Sequence, residues 1–181
     1  MLIKILIAIA VIVFVVIAAL QPSEFRVVRS AAISAPASAV FAQVDLHNWE
    51  PWSPWGKMDP AMRQAYQGVP AGTGAIYTWT GIKEVGEGRM TITEPSSDLI
   101  RIKLEFFKPF AGTNTAEFAF KPEDSQTAVT WSMTGENNFM AKAVHLFINM
   151  DKMVGGQFEK GLAQMKAVVE FSQEIAIDTQ E

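Results

Sequence analysis

The 181-residue chain contains no cysteine, which removes disulfides, thiolate nucleophiles and Cys-ligated zinc at once and leaves the redox compartment open. Histidine is almost as scarce, with only His47 and His145, far apart in sequence. No His-x-x-x-His pair, Gly-x-Ser-x-Gly elbow or Gly-x-x-x-x-Gly-Lys loop occurs, so the common zinc-hydrolase, serine-hydrolase and nucleotide-binding signatures are missing. The group Asp45-x-His47-x-x-Glu50 reads better as a polar helix terminus than as a metal site. We assign no catalytic residue, no metal and no cofactor. Positive charge is also in short supply. Beyond residue 21 there are 14 basic against 19 acidic side chains, a net of −5, with no basic stripe between aromatics. Nucleic acid is therefore excluded as a partner.

What the chain does have is a long hydrocarbon run. Ile5 through Leu20 holds no polar side chain, and Lys4 alone interrupts the apolar stretch from Met1. Sixteen helical residues rise about 24 Å and twenty about 30 Å, enough to cross a bilayer core with Lys4 snorkelling to the surface. A cleaved signal peptide has a shorter apolar stretch, about 7–15 residues, and a small-x-small exit. Here the exit is Ala18-Ala19-Leu20-Gln21-Pro22, with bulky Leu20 where a small residue is wanted. The pattern favours an uncleaved single-pass anchor over residues 1–21. Lys4 on the short N-terminal flank favours the rest of the chain lying on the extracytoplasmic side.

The remaining 160 residues suffice for one domain, residues 22–173, with a frayed tail over 174–181. Phe25–Ile33 reads as a strand, with Arg29 in the register of Phe25, Val27, Ala31 and Ile33. Ser34-Ala35-Pro36 starts a helix through Val40, Phe41 and Val44. A proline-broken segment follows, Trp49-Glu50-Pro51-Trp52-Ser53-Pro54-Trp55. From Met62 to Gly135 the apolar period is two, giving strands at Arg63–Val69, Ala75–Ile82, Gly88–Thr93, Leu99–Phe107, Thr113–Lys121 and Thr127–Thr134. Their short connections imply an antiparallel meander. Phe139 to about Gln173 is helical by period, and Gly155-Gly156 marks a bend, a break or a close approach to the sheet. Arg29 and Asp151 both fall in apolar register, and an ion pair between them resolves both.

One apolar sheet face and one long apolar helix stripe bury each other if the sheet curls around the helix. The order of elements resembles the START-like, helix-grip superfamily, in the SRPBCC branch labelled polyketide cyclase/dehydrase-like. The resemblance rests on Arg29-Ser30…Ile33-x-Ala35-Pro36…Val40-Phe41, on Trp49-x-x-Trp52-Ser53-Pro54-Trp55, on Gly135-Glu136-Asn137-Asn138-Phe139 and on Phe158-Glu159-Lys160-Gly161-Leu162. It implies an α+β domain in which a seven-stranded curved antiparallel sheet wraps the C-terminal helix around an elongated apolar cavity. Hydrophobic small molecules or lipids would bind there, to a monomer. The side chains expected to line that cavity are Trp52, Trp55, Tyr77, Trp79, Met90, Phe106, Asn114, Phe118, Trp131 and Glu136.

Three readings stay open at this level. The domain binds or carries a hydrophobic ligand; or it is a cyclase/dehydrase-like enzyme using Glu84, Glu136 or His145; or it is an interaction module with a collapsed core. The tryptophans of residues 49–55 fit a hydrophobic plug or the lining of an entrance. Asn137 or Asn138 is placed to cap the last helix, and His145 and Asn149 fall one helical turn apart on its flank.

Overall fold

The computed structural model describes residues 1–178. Helix α1 (Leu2–Ala19) is long and apolar enough to cross a membrane, and its side chains are exposed apart from Ala18. Strand β1 (Glu24–Ile33) follows, then the short helix α2 (Ala37–Phe41), two single 3-10 turns (Ala42–Val44 and Leu46–Asn48) and helix α3 (Pro54–Met58). Proline at the first position of α3 suits a helix start, where no backbone N–H is missed.

Six strands come next: β2 (Arg63–Gly68), β3 (Ala75–Thr80), β4 (Glu87–Pro95), β5 (Leu99–Lys108), β6 (Gly112–Glu123) and β7 (Gln126–Glu136). They form one curved antiparallel sheet in the order β1-β7-β6-β5-β4-β3-β2. Alternation decides which face is buried. Met90, Ile92, Ile100, Ile102, Ala116, Phe118, Phe120, Val129, Trp131 and Met133 point inward. The opposite face of β4, β5 and β6 carries cross-strand ion pairs, Arg89–Glu105 at 2.7 Å and Arg101–Glu117 at 2.7 Å. Lys103 and Arg89 hold the Glu105 carboxyl below the usual carboxylate range.

The C-terminal region departs from the uninterrupted period. It comprises α4 (Phe139–His145) and α5 (Met150–Asp178), with the chain broken over 146–149 rather than at Gly155-Gly156. The reason is capping. Asn138 Oδ1 accepts the Ala141 N–H at 2.9 Å and opens α4, while Asn149 Oδ1 accepts the Lys152 N–H at 2.9 Å and opens α5. His145 and Asn149 therefore do not share a helix face. The helix continues through the two glycines, and Gly155 is a close-approach site: a Cβ there would collide with the Arg29 guanidinium. Helix α5 also continues to Asp178, across part of the expected tail, and residues 179–181 lie outside the described residues.

Along α5, Phe158, Leu162, Met165 and Val169 are buried against the concave sheet face. Arg29 fastens the helix to β1. Its guanidinium donates to both Asp151 oxygens, at 2.9 and 3.0 Å, and to Glu159 Oε1 at 2.6 Å. The expected Arg29–Asp151 pair is thus present, but the Asp151 side chain is 58% exposed, so it is a surface clamp and not a buried pair.

Candidate functional site

Most of the ten residues expected around a ligand converge, and they converge on one another. Trp131 is sandwiched between Phe158 of α5, 3.9 Å away and 8° from parallel, and Phe118 of β6 at 4.8 Å. Trp49, Trp52 and Trp55 present themselves edge-on to it at 5.6–5.8 Å. Trp52 is fully buried and donates its indole N–H to the Gln43 carbonyl at 2.9 Å. Trp55 is half-buried beside Phe158. A second group joins Tyr77, Trp79 and Phe106, and Trp79 donates to the Val85 carbonyl at 3.2 Å. Burial, seconded by the charges of Tyr66 and Glu50, pushes the Tyr77 phenol up, so it stays neutral. Met90 is buried in the same core, and Asn114 points its amide at the Met133 sulfur, 3.9 Å away. Glu136 stands apart, exposed at the end of β7, as does Glu84 in the β3–β4 turn. In this arrangement Trp49 and Trp52 are buried and Trp55 is half-buried against Trp131 and Phe158, a packing that suits the plug.

An open cleft of about 450 Å³ lies elsewhere, where α1 meets the domain. Its apolar wall is Pro22, Phe25, Leu146, Phe147, Ile148 and Met150, and its polar groups are Gln21, Glu24, Asn137, His145 and Asn149. None of the ten expected contacts lines it. Three features of the fold create it: the exit from α1, the start of β1 and the α4–α5 corner. Asn137 fixes the first to the second. Its backbone N–H donates to the Ser23 carbonyl at 2.7 Å and its amide to the Pro22 carbonyl at 3.2 Å. That leaves the buried Asn137 Oδ1 with no hydrogen-bond partner beneath a wall of mixed polar and apolar character. The His145 ring stands edge-on to Phe25, 6.2 Å away. Of the three acid–base candidates, His145 alone lines the cleft.

The sequence signal for this site was present but divided. Asn137 and His145 were visible as polar residues near a helix, yet the apolar period runs on across the corner that follows His145. An apolar-period reading points to the interior of the sheet, where the aromatic side chains stack on one another.

Comparison with other proteins agrees with this architecture. Residues 24–170 match a family model described as polyketide cyclase / dehydrase and lipid transport. No curated protein matches the chain. Among solved structures, a Thermus thermophilus protein is similar with a TM-score of 0.59 at 14% identity, covering 82% of this chain and 99% of its own. A Chromobacterium violaceum protein gives 0.58 at 16% identity, covering 83% and 99%. Major latex-like protein 151 of Panax ginseng gives 0.56 at 11% identity, covering 81% and 97%.

Proposed function

Because the chain belongs to the polyketide cyclase / dehydrase and lipid transport family, we propose that it is a membrane-anchored domain that binds a hydrophobic small molecule or lipid. The observation that carries this reading is the position of the 450 Å³ cleft. It sits beside the exit of an apolar helix of eighteen residues, about 27 Å long, at the level where a bilayer spanned by that helix would end. Its volume falls in the range of small-molecule sites, and its mixture of an apolar wall with a few polar groups suits an amphiphile. Phe25, Phe147 and Ile148 would hold the hydrocarbon part. His145 would meet the polar end. With this goes a domain on the extracytoplasmic side, the orientation that Lys4 favours, acting as a monomer.

The test is native mass spectrometry of the full chain released from nanodiscs loaded with phospholipid and free fatty acid. One adduct per chain should survive collisional activation that strips annular lipid. Leu146→Trp, which fills the cleft from its half-buried wall, should abolish that adduct while the thermal transition persists. A smooth distribution of adducts unchanged by Leu146→Trp would refute the reading.

A further inference from the structure

Exposed hydrophobic side chains are unevenly distributed over the two ends of the sheet. In the antiparallel meander, β1 begins and β7 ends beside α1, so the β3–β4 turn, the β5–β6 turn and the β7–α4 connection all lie at that end. There the exposed large apolar side chains include Ile82, Phe107, Phe110, Phe139, Met140, Phe147 and Ile148. Phe110 is 76% exposed, Met140 67% and Phe147 79%. Among the described residues, the opposite end, where Glu170 of α5 accepts the Ser34 N–H, carries fewer: Val69 in a turn and Phe171 and Ile175 on the last turns of α5. Scattered exposed apolar residues need no explanation, but a set gathered at one end does.

The contacts of α4 say what lies against that end. Lys142 Nζ approaches the Ala19 carbonyl at 3.5 Å and bonds Ser23 Oγ at 3.2 Å, so the middle of α4 is level with the end of α1. Phe147 stacks on Phe14 with ring centroids 6.2 Å apart. Phe14 is five residues before Ala19, about 7.5 Å further down the α1 axis. The α4–α5 corner therefore descends alongside the apolar helix by a distance within the ~5–10 Å to which interfacial helices sink. Lys142 stays at the level of the helix end, where an ammonium meets water and headgroups. Charges at this end are mixed: Lys83 stands beside Glu84, and Lys108 pairs with Glu87 at 2.9 Å.

We infer that this end of the domain is a membrane-docking surface, with α4 and its corner sunk in the bilayer interface and the Phe110 hairpin tip touching it. The inference rests on α1 spanning the membrane. The domain then sits on the bilayer by this end instead of swinging on a tether, and its attachment is apolar, so anionic lipid is not required.

The absence of native cysteine makes the test direct. Single Cys variants at Met140, Phe147, Phe110, Ser97 and Val11 of the full chain, each spin-labelled, are placed in phosphatidylcholine nanodiscs. Accessibility to oxygen and to a water-soluble nickel chelate is then measured. Labels at 140 and 147 should favour oxygen over nickel several-fold relative to Ser97, at the far turn, and the label at 110 should show a smaller bias of the same sign. Val11 reports α1 itself. Oxygen bias at Val11 with nickel exposure at 140 and 147 like that at Ser97 overturns the docking surface alone. Nickel exposure at Val11 overturns the anchor and the docking with it. Labels at 140 and 147 shielded from both reagents would mean a protein covers this end, which also overturns the proposal.

Discussion

At the scale of single residues, the interior is governed by Trp131 and by the small side chains that let other groups reach it. Gly161 of α5 is one: a Cβ there would lie 2.8 Å from the Trp131 ring and 3.3 Å from Pro54. Trp131 is fixed on both faces and cannot retreat, so Gly161→Ala should lose about 1–3 kcal/mol to overpacking despite alanine's better helix propensity. Gly156 has open space where its Cβ would be, and Gly156→Ala should gain up to about 1 kcal/mol. Gly155→Ala should fall below Gly156→Ala because it drives Arg29 off Asp151 and Glu159. Thermal unfolding of the three variants in detergent checks the order, and equal melting temperatures would contradict it. The glycine pair shows what one sequence can and cannot convey. Propensity marked both glycines as weak points of a helix, but only the position of Arg29 across the fold separates the required one from the dispensable one.

At the scale of elements, the strands were legible and the helix corner was not. Alternation of apolar and polar residues over β2 to β7, punctuated by short polar turns, leaves one register that buries one face, so the strand limits followed from local chemistry. The apolar period through Phe139–Val169 continues across Leu146–Asn149, and an uninterrupted period conceals a corner. The signal that could have revealed it is Asn149 with Asp151 in the following turn, a start pattern inside an apparent helix. Asn149→Ala should therefore cost about 1 kcal/mol, the usual loss of a cap, although a residue on the flank of a continuous helix would cost almost nothing. Chemical denaturation in micelles decides, and a change near zero would place α4 and α5 on one axis. The cleft was hidden for the same reason, since it exists only because the chain turns there.

At the scale of the whole molecule, charge sets a window of stability. Asp151, Glu105 and Glu170 are held below the usual carboxylate range by Arg29, by Lys103 with Arg89, and by the Ser34 N–H with Lys166 respectively. A carboxylate lowered on folding stabilises fully above its unfolded pKa, about 4, and loses that contribution as pH falls through the folded value. The phenols of Tyr66 and Tyr77 shift the other way, raised first by burial. Their neutral forms are favoured by folding, so stability declines as pH rises past the unfolded tyrosine value near 10. The melting temperature should be flat between about pH 5 and 9 and fall on both sides. Tyr77→Phe should flatten the alkaline decline and leave the acid one untouched. An unaltered alkaline limb in that variant would assign it elsewhere.

The tryptophans are confined to the folded domain, and α1 has none. The indoles of Trp49 and Trp52 stand 4.4 Å apart, and Trp131 lies within 5.8 Å of Trp49, Trp52 and Trp55. At such separations their electronic transitions couple, and four residues from two distant stretches of chain absorb polarised light as one chiral set. The phenyl ring that completes the stack, Phe158, belongs to α5. Near-ultraviolet dichroism therefore reads the seating of α5 against the sheet, and α1, with neither tryptophan nor tyrosine, adds little to it.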